Sequence, residues 1–290
     1  MARDLSRTVF GQTFQNPILL AAGTAGFGRE VAGVIDLERL GGIVTKAVSR
    51  EPRAGNRAPR VAEFAGGMLN SVGLANPGLA QVRQEQIPWL ATHLVRPRVI
   101  VNVVGFEEAH FAEVVGGLAE APGITAFEIN LSCPNTHAGG MEFGADPGTA
   151  ARVVELCRAR TSRPLVAKLS PALPDIAGMA MAVRAAGADG VTVVNTLPGY
   201  LEREDGQPRL GNGNGGVSGP ALLPVGVLAV RKIMQKSGGM PVIGVGGVRS
   251  ADDARQYLHA GAALVAIGTA AMVRPRIPEE VVADLETNGV

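Results

Sequence analysis

An excess of charge of either sign is missing from this chain. Its 290 residues carry 27 Lys and Arg against 26 Asp and Glu, a formal net charge of +1. Such a balance provides no basic field for nucleic acid or for an anionic membrane surface. Cysteine is almost missing too, with only Cys133 and Cys157. Two thiols cannot ligate an iron–sulfur cluster, which usually takes four. A chain of this length does not need a disulfide, so reduced thiols and a cytoplasmic setting are expected. No apolar run reaches the 18 residues of a transmembrane helix, because the Val- and Ala-rich stretches are cut by Gly, Pro or charge. The opening MARDLSRTVFGQ has no apolar stretch of signal-peptide length, so no export is expected. Aromatic residues make up only 4%.

Glycine, by contrast, is abundant at 39 residues, and 46% of the chain is hydrophobic. Many glycines with few aromatics suit tight βα turns where backbone approaches a ligand. Short apolar runs recur, each followed by a Gly, Asn or Pro turn, and read as buried parallel strands. They cover 18–22, 42–46, 99–104, 126–131, 165–169, 190–195, 242–245 and 264–267. Helical patterns are expected at 29–40, 107–120, 147–159, 175–186, 251–260 and 278–286. Eight such units predict an α/β fold, a (β/α)8 TIM barrel forming one domain over 1–290. An open doubly wound sheet is the alternative, but no composition shift marks the reversal it needs. A barrel takes about 250 residues. The surplus lies at 49–86 and 198–220, expected as insertions on the C-terminal face. A hairpin of 8–10 with 13–15, turning at 11–12, is expected to plug the other end.

The segment EINLSCPNTHAGGMEFGAD concentrates chemistry. Asn130 ends the fourth strand and Cys133 follows on a Cys-Pro-Asn turn, where Pro134 disfavours helical geometry. A thiol at the C-terminal end of a strand, under a loop containing Gly139, Gly140 and Gly144, suits a base or nucleophile. Cys157, inside VVELCRAR, reads as a small buried hydrophobe. Carboxamides recur at strand ends and in top-face loops: Asn70, Asn102, Asn130, Asn135 and Asn195. Amides both donate and accept, so a ring of them can read a planar imide without net charge. Lys46 and Lys168 interrupt apolar strands. A lysine there is rarely buried unpaired, so each is expected to face an anion or an electron-rich ring in the barrel mouth. Gly246-Gly247 after the seventh strand and Gly268-Thr269 after the eighth predict a phosphate cradle, with Gly219 nearby. The G-x-G-x-x-G match at 211–216 follows no buried strand and reads as a flexible loop ending in a helix start.

NLSCPNTHAGGMEFGADP, at 130–147, resembles the active-site loop of class 1 dihydroorotate dehydrogenases, in particular the 1B branch. The likeness continues in order through AAGTAGFG, NSVGLANPG, VNVVG, AKLSP, VVNT, GGVSGPA, IGVGG and AIGTA. The resemblance implies a flavin enzyme that oxidises dihydroorotate to orotate with bound FMN. It implies Cys133 as the base that takes a proton from carbon 5, and Lys168 as the lysine supporting negative charge on the flavin. It implies flavin contacts at Ala22, Gly23, Lys46, Ala47, Asn102, Asn130 and Val194, with phosphate at Gly219, Gly246, Gly247, Gly268 and Thr269. The substrate pocket it implies comprises Lys46, Asn70, Ser71, Val72, Gly73, Leu74, Asn130, Asn135, Asn195 and Thr196, with no metal. The family usually has Ser where Ala22 stands, so a hydroxyl contact to flavin is missing here. The 1B branch works with a partner chain carrying FAD and a 2Fe-2S cluster, around a homodimer of the catalytic chain, and passes electrons to NAD. Met141, Phe143 or the 197–201 stretch is expected to supply an apolar docking patch for that partner.

Three readings stay open beside it: the fumarate-using 1A branch, a pyrimidine-reducing flavin barrel, and a flavin-free phosphate-binding isomerase or lyase. A yellow or a colourless protein separates the last from the others.

Overall fold

The computed structural model describes residues 3–132 and 143–290. Eight parallel strands close into a barrel in chain order: β1 (Ile18–Leu20), β2 (Gly42–Val44), β3 (Arg98–Val103), β4 (Ile124–Asn130), β5 (Leu165–Leu169), β6 (Gly190–Val193), β7 (Val242–Val245) and β8 (Leu264–Ile267). β8 pairs with β1 through Val265 opposite Ile18, which closes the ring. The alternation of strand and crossover thus produces the expected TIM barrel, and the open sheet does not occur.

Side-chain alternation sorts the barrel interior into layers, because every second residue points inward. The lower layers are apolar: Leu19, Val44, Ile100, Ala126, Val166, Ile243 and Leu264 pack together with Val9 and Phe14 of the N-terminal hairpin. Two residues further along β3, β4 and β5, the same inward face becomes polar at Asn102, Glu128 and Lys168. The hairpin pairs Arg7–Val9 with Gln12–Phe14. It covers the N-terminal end as expected, with Phe10 against the start of β6. Its turn is displaced by one residue from the expectation. Phe10 and Gly11 form it, at φ 55° and 69°, the geometry of the two-residue turn that matches strand twist.

Helices Glu108–Leu118, Pro147–Arg158, Ile176–Ala185, Ala251–His259 and Ile277–Asn288 lie near the expected ranges. Three begin on a side-chain cap, which satisfies an N–H left open at the helix start. Asp146 accepts from Thr149 N at 2.7 Å, Asp175 from Gly178 N at 2.7 Å and Ser250 from Asp253 N at 3.2 Å. The helix expected at 29–40 is absent. Consecutive turns close chiefly over three residues there (Gly28 N to Ala25 O, Val31 N to Gly28 O, Val34 N to Val31 O), and only Leu37–Arg39 winds as a 3-10 turn. A run of AGTAGFG before it leaves the helical pattern without a stable first turn. Two helices escaped the sequence reading. One is Gly78–Gln81, a wide π turn at Val82–Gln86, and Ile87–His93. The wide turn ends two residues before Pro88, which lacks a helix donor. The other is Leu223–Ser237, whose buried Leu223, Gly226, Ala229, Val230 and Ile233 mark one face.

The two insertions combine. Strands Leu197–Gly199, Gly215–Ser218, Gly67–Asn70 and Val61–Phe64 form one antiparallel sheet in that order. The stretch read as a flexible loop at 211–216 therefore ends in a strand, and the helix start follows at Pro220–Leu222. One of its pairing partners, Gly67–Asn70, is over a hundred residues away in the chain, where local glycine content gives no hint of it.

Candidate functional site

The inward polar layer sits above the apolar plug. Glu128, 1% exposed, accepts from Asn102 Nδ2 at 2.7 Å through Oε1 and from Thr192 Oγ1 at 2.7 Å through Oε2. Lys168 Nζ lies 3.7 Å from Glu128 Oε1, both side chains almost fully buried. Taking two charges out of water costs several kcal/mol per ion, and well-packed apolar residues serve stability as well or better. The pair is thus poorly explained as a stabilising device, and suits a chemical role. Asn102 Oδ1 is buried with no partner. Orphaned buried acceptors are rare in native folds, so this one fits a ligand donor.

Above this layer the carboxamides gather. Asn195 Nδ2 donates to Asn130 Oδ1 at 3.3 Å, and Asn195 Oδ1 accepts from Thr196 N at 2.9 Å. Asn70, at the end of a top-sheet strand, donates from Nδ2 to Gly216 O at 3.2 Å. Thr196 stands against Gly216 as well, so Asn70 and Thr196 meet on one strand of the top sheet. The segment after Asn70 is held by side chains the sequence reading did not single out. Asn56 Nδ2 donates to Ser71 Oγ at 2.8 Å, and Asn56 N donates to Val72 O. Buried Asn76 donates from Nδ2 to Leu74 O at 2.8 Å and to Ser49 Oγ at 2.8 Å. Gly73 follows at φ 74° and Leu74 at φ 57°, so the segment is a shaped turn rather than a free loop.

At the end of β2, Lys46 is half-buried and its N–H donates to Gly26 O at 2.7 Å. The buried Thr45 hydroxyl donates to Lys46 O and accepts from Asn102 N, linking Lys46 to the polar layer. Ala47 and Val194 are buried in the main apolar core, which leaves backbone for contact with a ligand. Ala22 is half-buried and Gly23 exposed beyond the end of β1.

Gly219, Gly246 and Gly247, expected to form a phosphate cradle, all stand at positive φ. Gly247 sits at φ 78°, and a Cβ there would fall 2.5 Å from Leu223 N. Gly219, at φ 109°, leaves 2.8 Å between such a Cβ and Gly67 Cα. Both positions need glycine on conformation and on space. Thr269 Oγ1 donates to Ser218 Oγ at 2.8 Å, joining the β8 loop to the top sheet. Gly268 precedes the short helix Thr269–Val273. Beneath the cradle, fully buried Tyr257 donates to Val245 O at 3.0 Å and Gly246 O at 2.8 Å. Burial and the nearby Asp253 push its hydroxyl well above the usual tyrosine range. It stays neutral and keeps its proton for those carbonyls.

Cys133 and Asn135 lie outside the described residues, as does Met141. Cys157 is free and buried, and burial pushes its thiol up to about 12, as suits a core residue. Phe143 corrects the docking expectation: it is fully buried, edge-on to Phe111 at 5.2 Å. Leu197 and Tyr200 are exposed and remain available. Among the described residues no group of three or more His, Cys, Asp or Glu is placed to hold a metal ion, and no helix is long and apolar enough to cross a membrane. Glu128 and Thr192 were missed, although a carboxylate inside AFEIN carries the same signal that marks Lys168.

The site therefore offers backbone glycines at the ends of β7 and β8, a buried cation beside an orphaned acceptor, and amides above them, an arrangement that fits a planar, polar ring. A family model for dihydroorotate dehydrogenase matches residues 4–288. The catalytic subunit of dihydroorotate dehydrogenase B (NAD(+)) from Geobacillus kaustophilus is 44% identical, over 95% of this chain and 87% of that protein. The protein of the same name from Pelobacter propionicus is 42% identical, over 99% of this chain and 93% of that one. A crystal structure of DHODH from Eimeria tenella in complex with ferulenol superposes with a TM-score of 0.82 at 22% identity, covering 97% of this chain and 83% of that one, which bears out the fold. Matched along almost its whole length by the family model and by both relatives, the chain belongs to the dihydroorotate dehydrogenase family.

Proposed function

We propose that this chain oxidises (S)-dihydroorotate to orotate in pyrimidine biosynthesis, as the catalytic half of an NAD-linked 1B enzyme. The observation that carries the reading is the buried layer in which Lys168 and the unpartnered Asn102 Oδ1 stand together at the barrel mouth. FMN, when bound, would supply the acceptor for the hydride that leaves carbon 6 of the substrate. Gly219, Gly246, Gly247, Gly268 and Thr269 would hold its phosphate, while Ala22, Gly23, Lys46, Ala47, Asn102, Asn130 and Val194 would line its ring. Lys168 supplies positive charge where negative charge develops, and its burial strengthens that interaction. Asn130, Asn135, Asn195 and Thr196, with Lys46 and the turn Asn70, Ser71, Val72, Gly73 and Leu74, orient the substrate. Cys133 takes the proton from carbon 5. A thiol ionises far more readily than a serine hydroxyl, so more of the proton-accepting anion is present at neutral pH.

The words "catalytic subunit" and "NAD(+)" in the relatives' names support a partner that carries electrons onward. We assign that partner FAD and a 2Fe-2S cluster, and the catalytic chain a homodimeric, cytoplasmic, single-domain form. The test is direct. The purified chain is expected to be yellow, to release about one FMN per chain on denaturation, and to have that flavin reduced by dihydroorotate under anaerobic conditions. A colourless protein, or flavin that dihydroorotate leaves oxidised, would sink the reading.

A further inference from the structure

Glu128 has no part in the reading above, yet it touches both groups on which that reading rests. An ionised carboxylate only accepts hydrogen bonds, so the Asn102 atom facing it at 2.7 Å must be the amide nitrogen. The amide oxygen is thereby turned away, and it is this atom that is buried without a partner. The same carboxylate oxygen lies 3.7 Å from Lys168 Nζ. The second oxygen is anchored by Thr192 on the far side of β5. One side chain on β4 therefore fixes the polarity of the Asn102 amide and offsets the charge of Lys168.

We propose that Glu128 is a positioning residue for the flavin. It presents Asn102 Oδ1 as an acceptor, and it holds the flavin's reduction potential down by sharing the Lys168 cation. This rests on the flavin reading of the preceding subsection. The reduced ring carries more negative charge than the oxidised ring. A lone buried cation would favour the reduced form strongly, whereas a cation paired at 3.7 Å favours it less. A lower potential suits a site that must pass its electrons outward. Glu128→Gln removes the charge and keeps the shape: the new amide oxygen accepts from Asn102 and its nitrogen donates to Thr192 Oγ1, so the layer stays hydrogen-bonded.

The test is the two-electron midpoint potential of bound FMN, measured by equilibration with reference dyes, with the FMN dissociation constant alongside. In Glu128→Gln the ratio of reduced to oxidised flavin at a fixed potential is expected to rise about tenfold, about 30 mV for a two-electron couple. FMN binding is expected to weaken several-fold, because Asn102 is no longer forced into one orientation. Glu128→Asp keeps the charge but withdraws it by one methylene, and is expected to shift the potential in the same direction by less. It also serves if the Gln variant fails to fold. Thr192→Val, which leaves the charges in place, is expected to leave the potential where it was. Flavin bound at an unchanged potential in either Glu128 variant overturns the inference while leaving the functional reading intact. A wild-type chain that holds no flavin overturns both.

Discussion

In the proposed mechanism Cys133 and Lys168 divide the chemistry between a proton and a charge, and their substitutions are expected to fail differently. Cys133→Ala should leave FMN bound and slow its reduction by dihydroorotate at least about 10²-fold, the usual scale for a lost general base. Cys133→Ser should retain a trace that grows as pH rises, because a hydroxyl gives up its proton less readily. Stopped-flow absorbance of the flavin checks both, and a normal rate in the alanine variant would remove Cys133 from the mechanism. Lys168→Ala should impair flavin reduction more than substrate binding, since the charge it offsets appears as the flavin is reduced. A raised substrate dissociation constant with an unchanged reduction rate would move Lys168 to the substrate pocket. At this scale the sequence was legible wherever a polar residue broke an apolar strand. Asn102 in VIVNV and Lys168 in LVAKL stood out this way. Glu128 in AFEIN carried the same mark and went unread, because a carboxylate suggested no ligand until its cationic neighbour was seen. Thr192 is inconspicuous, since threonine is an ordinary strand residue.

Strands announced themselves more clearly than the pieces between them, for a physical reason. A strand buried on both faces needs an uninterrupted apolar run, whereas a helix or loop on one face can be written in many ways. The top sheet is the extreme case, since its glycine-rich strand Gly215–Ser218 exists only through pairing with Leu197–Gly199 and Gly67–Asn70. Two elements invite tests. The helix Ala251–His259 reaches the proposed phosphate site at Gly246 through Tyr257, for which Gly226 and Gly244 make room; a Cβ at Gly244 would fall 2.3 Å from the ring. Tyr257→Phe removes the donor to two backbone carbonyls. It should weaken FMN binding by about fivefold, the worth of roughly one hydrogen bond of about 1 kcal/mol. Fluorescence titration with FMN decides this, and unchanged affinity would make Tyr257 a packing residue only. The closing helix Ile277–Asn288 is tied to the β1–β2 connection by Glu279, which accepts from Asp36 N at 2.9 Å and from Arg276 at 3.0 Å. Burial pushes the Glu279 carboxyl up, but the Arg276 guanidinium and the Asp36 N–H outweigh it and hold it below the usual carboxylate value. A depressed pKa contributes stability above the unfolded-state value and loses it as pH falls through the folded-state value. Thermal stability should therefore drop as pH falls below about 4.5, and Glu279→Gln should flatten part of that drop while lowering stability at neutral pH. Identical acid profiles for the two proteins would exclude the contribution.

At the scale of the whole molecule, the described residues form one barrel with its top sheet and no separate dinucleotide-binding unit. Hydride transfer to NAD needs a nicotinamide stacked on a flavin, in practice beside a dinucleotide-binding strand, turn and helix. The one G-x-G-x-x-G match here runs into an antiparallel strand of the top sheet, which is the wrong setting for a pyrophosphate. With two cysteines the chain cannot carry a cluster of its own either. The isolated chain should therefore reduce artificial dyes with dihydroorotate and use NAD poorly. Adding a partner chain with FAD and a 2Fe-2S cluster should restore rapid NAD reduction. Docking should use the exposed apolar residues at the edge of the top sheet, Leu197 at 38% and Tyr200 at 50% exposure. Aromatic and aliphatic side chains of this kind form the centre of protein interfaces, where charge is depleted. Leu197→Asp with Tyr200→Glu should then weaken the partner-dependent NAD rate at least tenfold while leaving dye reduction unchanged. Steady-state assays with and without the partner decide between outcomes. Rapid NAD reduction by the isolated chain would end the two-chain reading, and rapid turnover with fumarate would move the protein to the 1A branch. An unchanged partner-dependent rate in the doubly charged variant would place the docking surface elsewhere on the barrel.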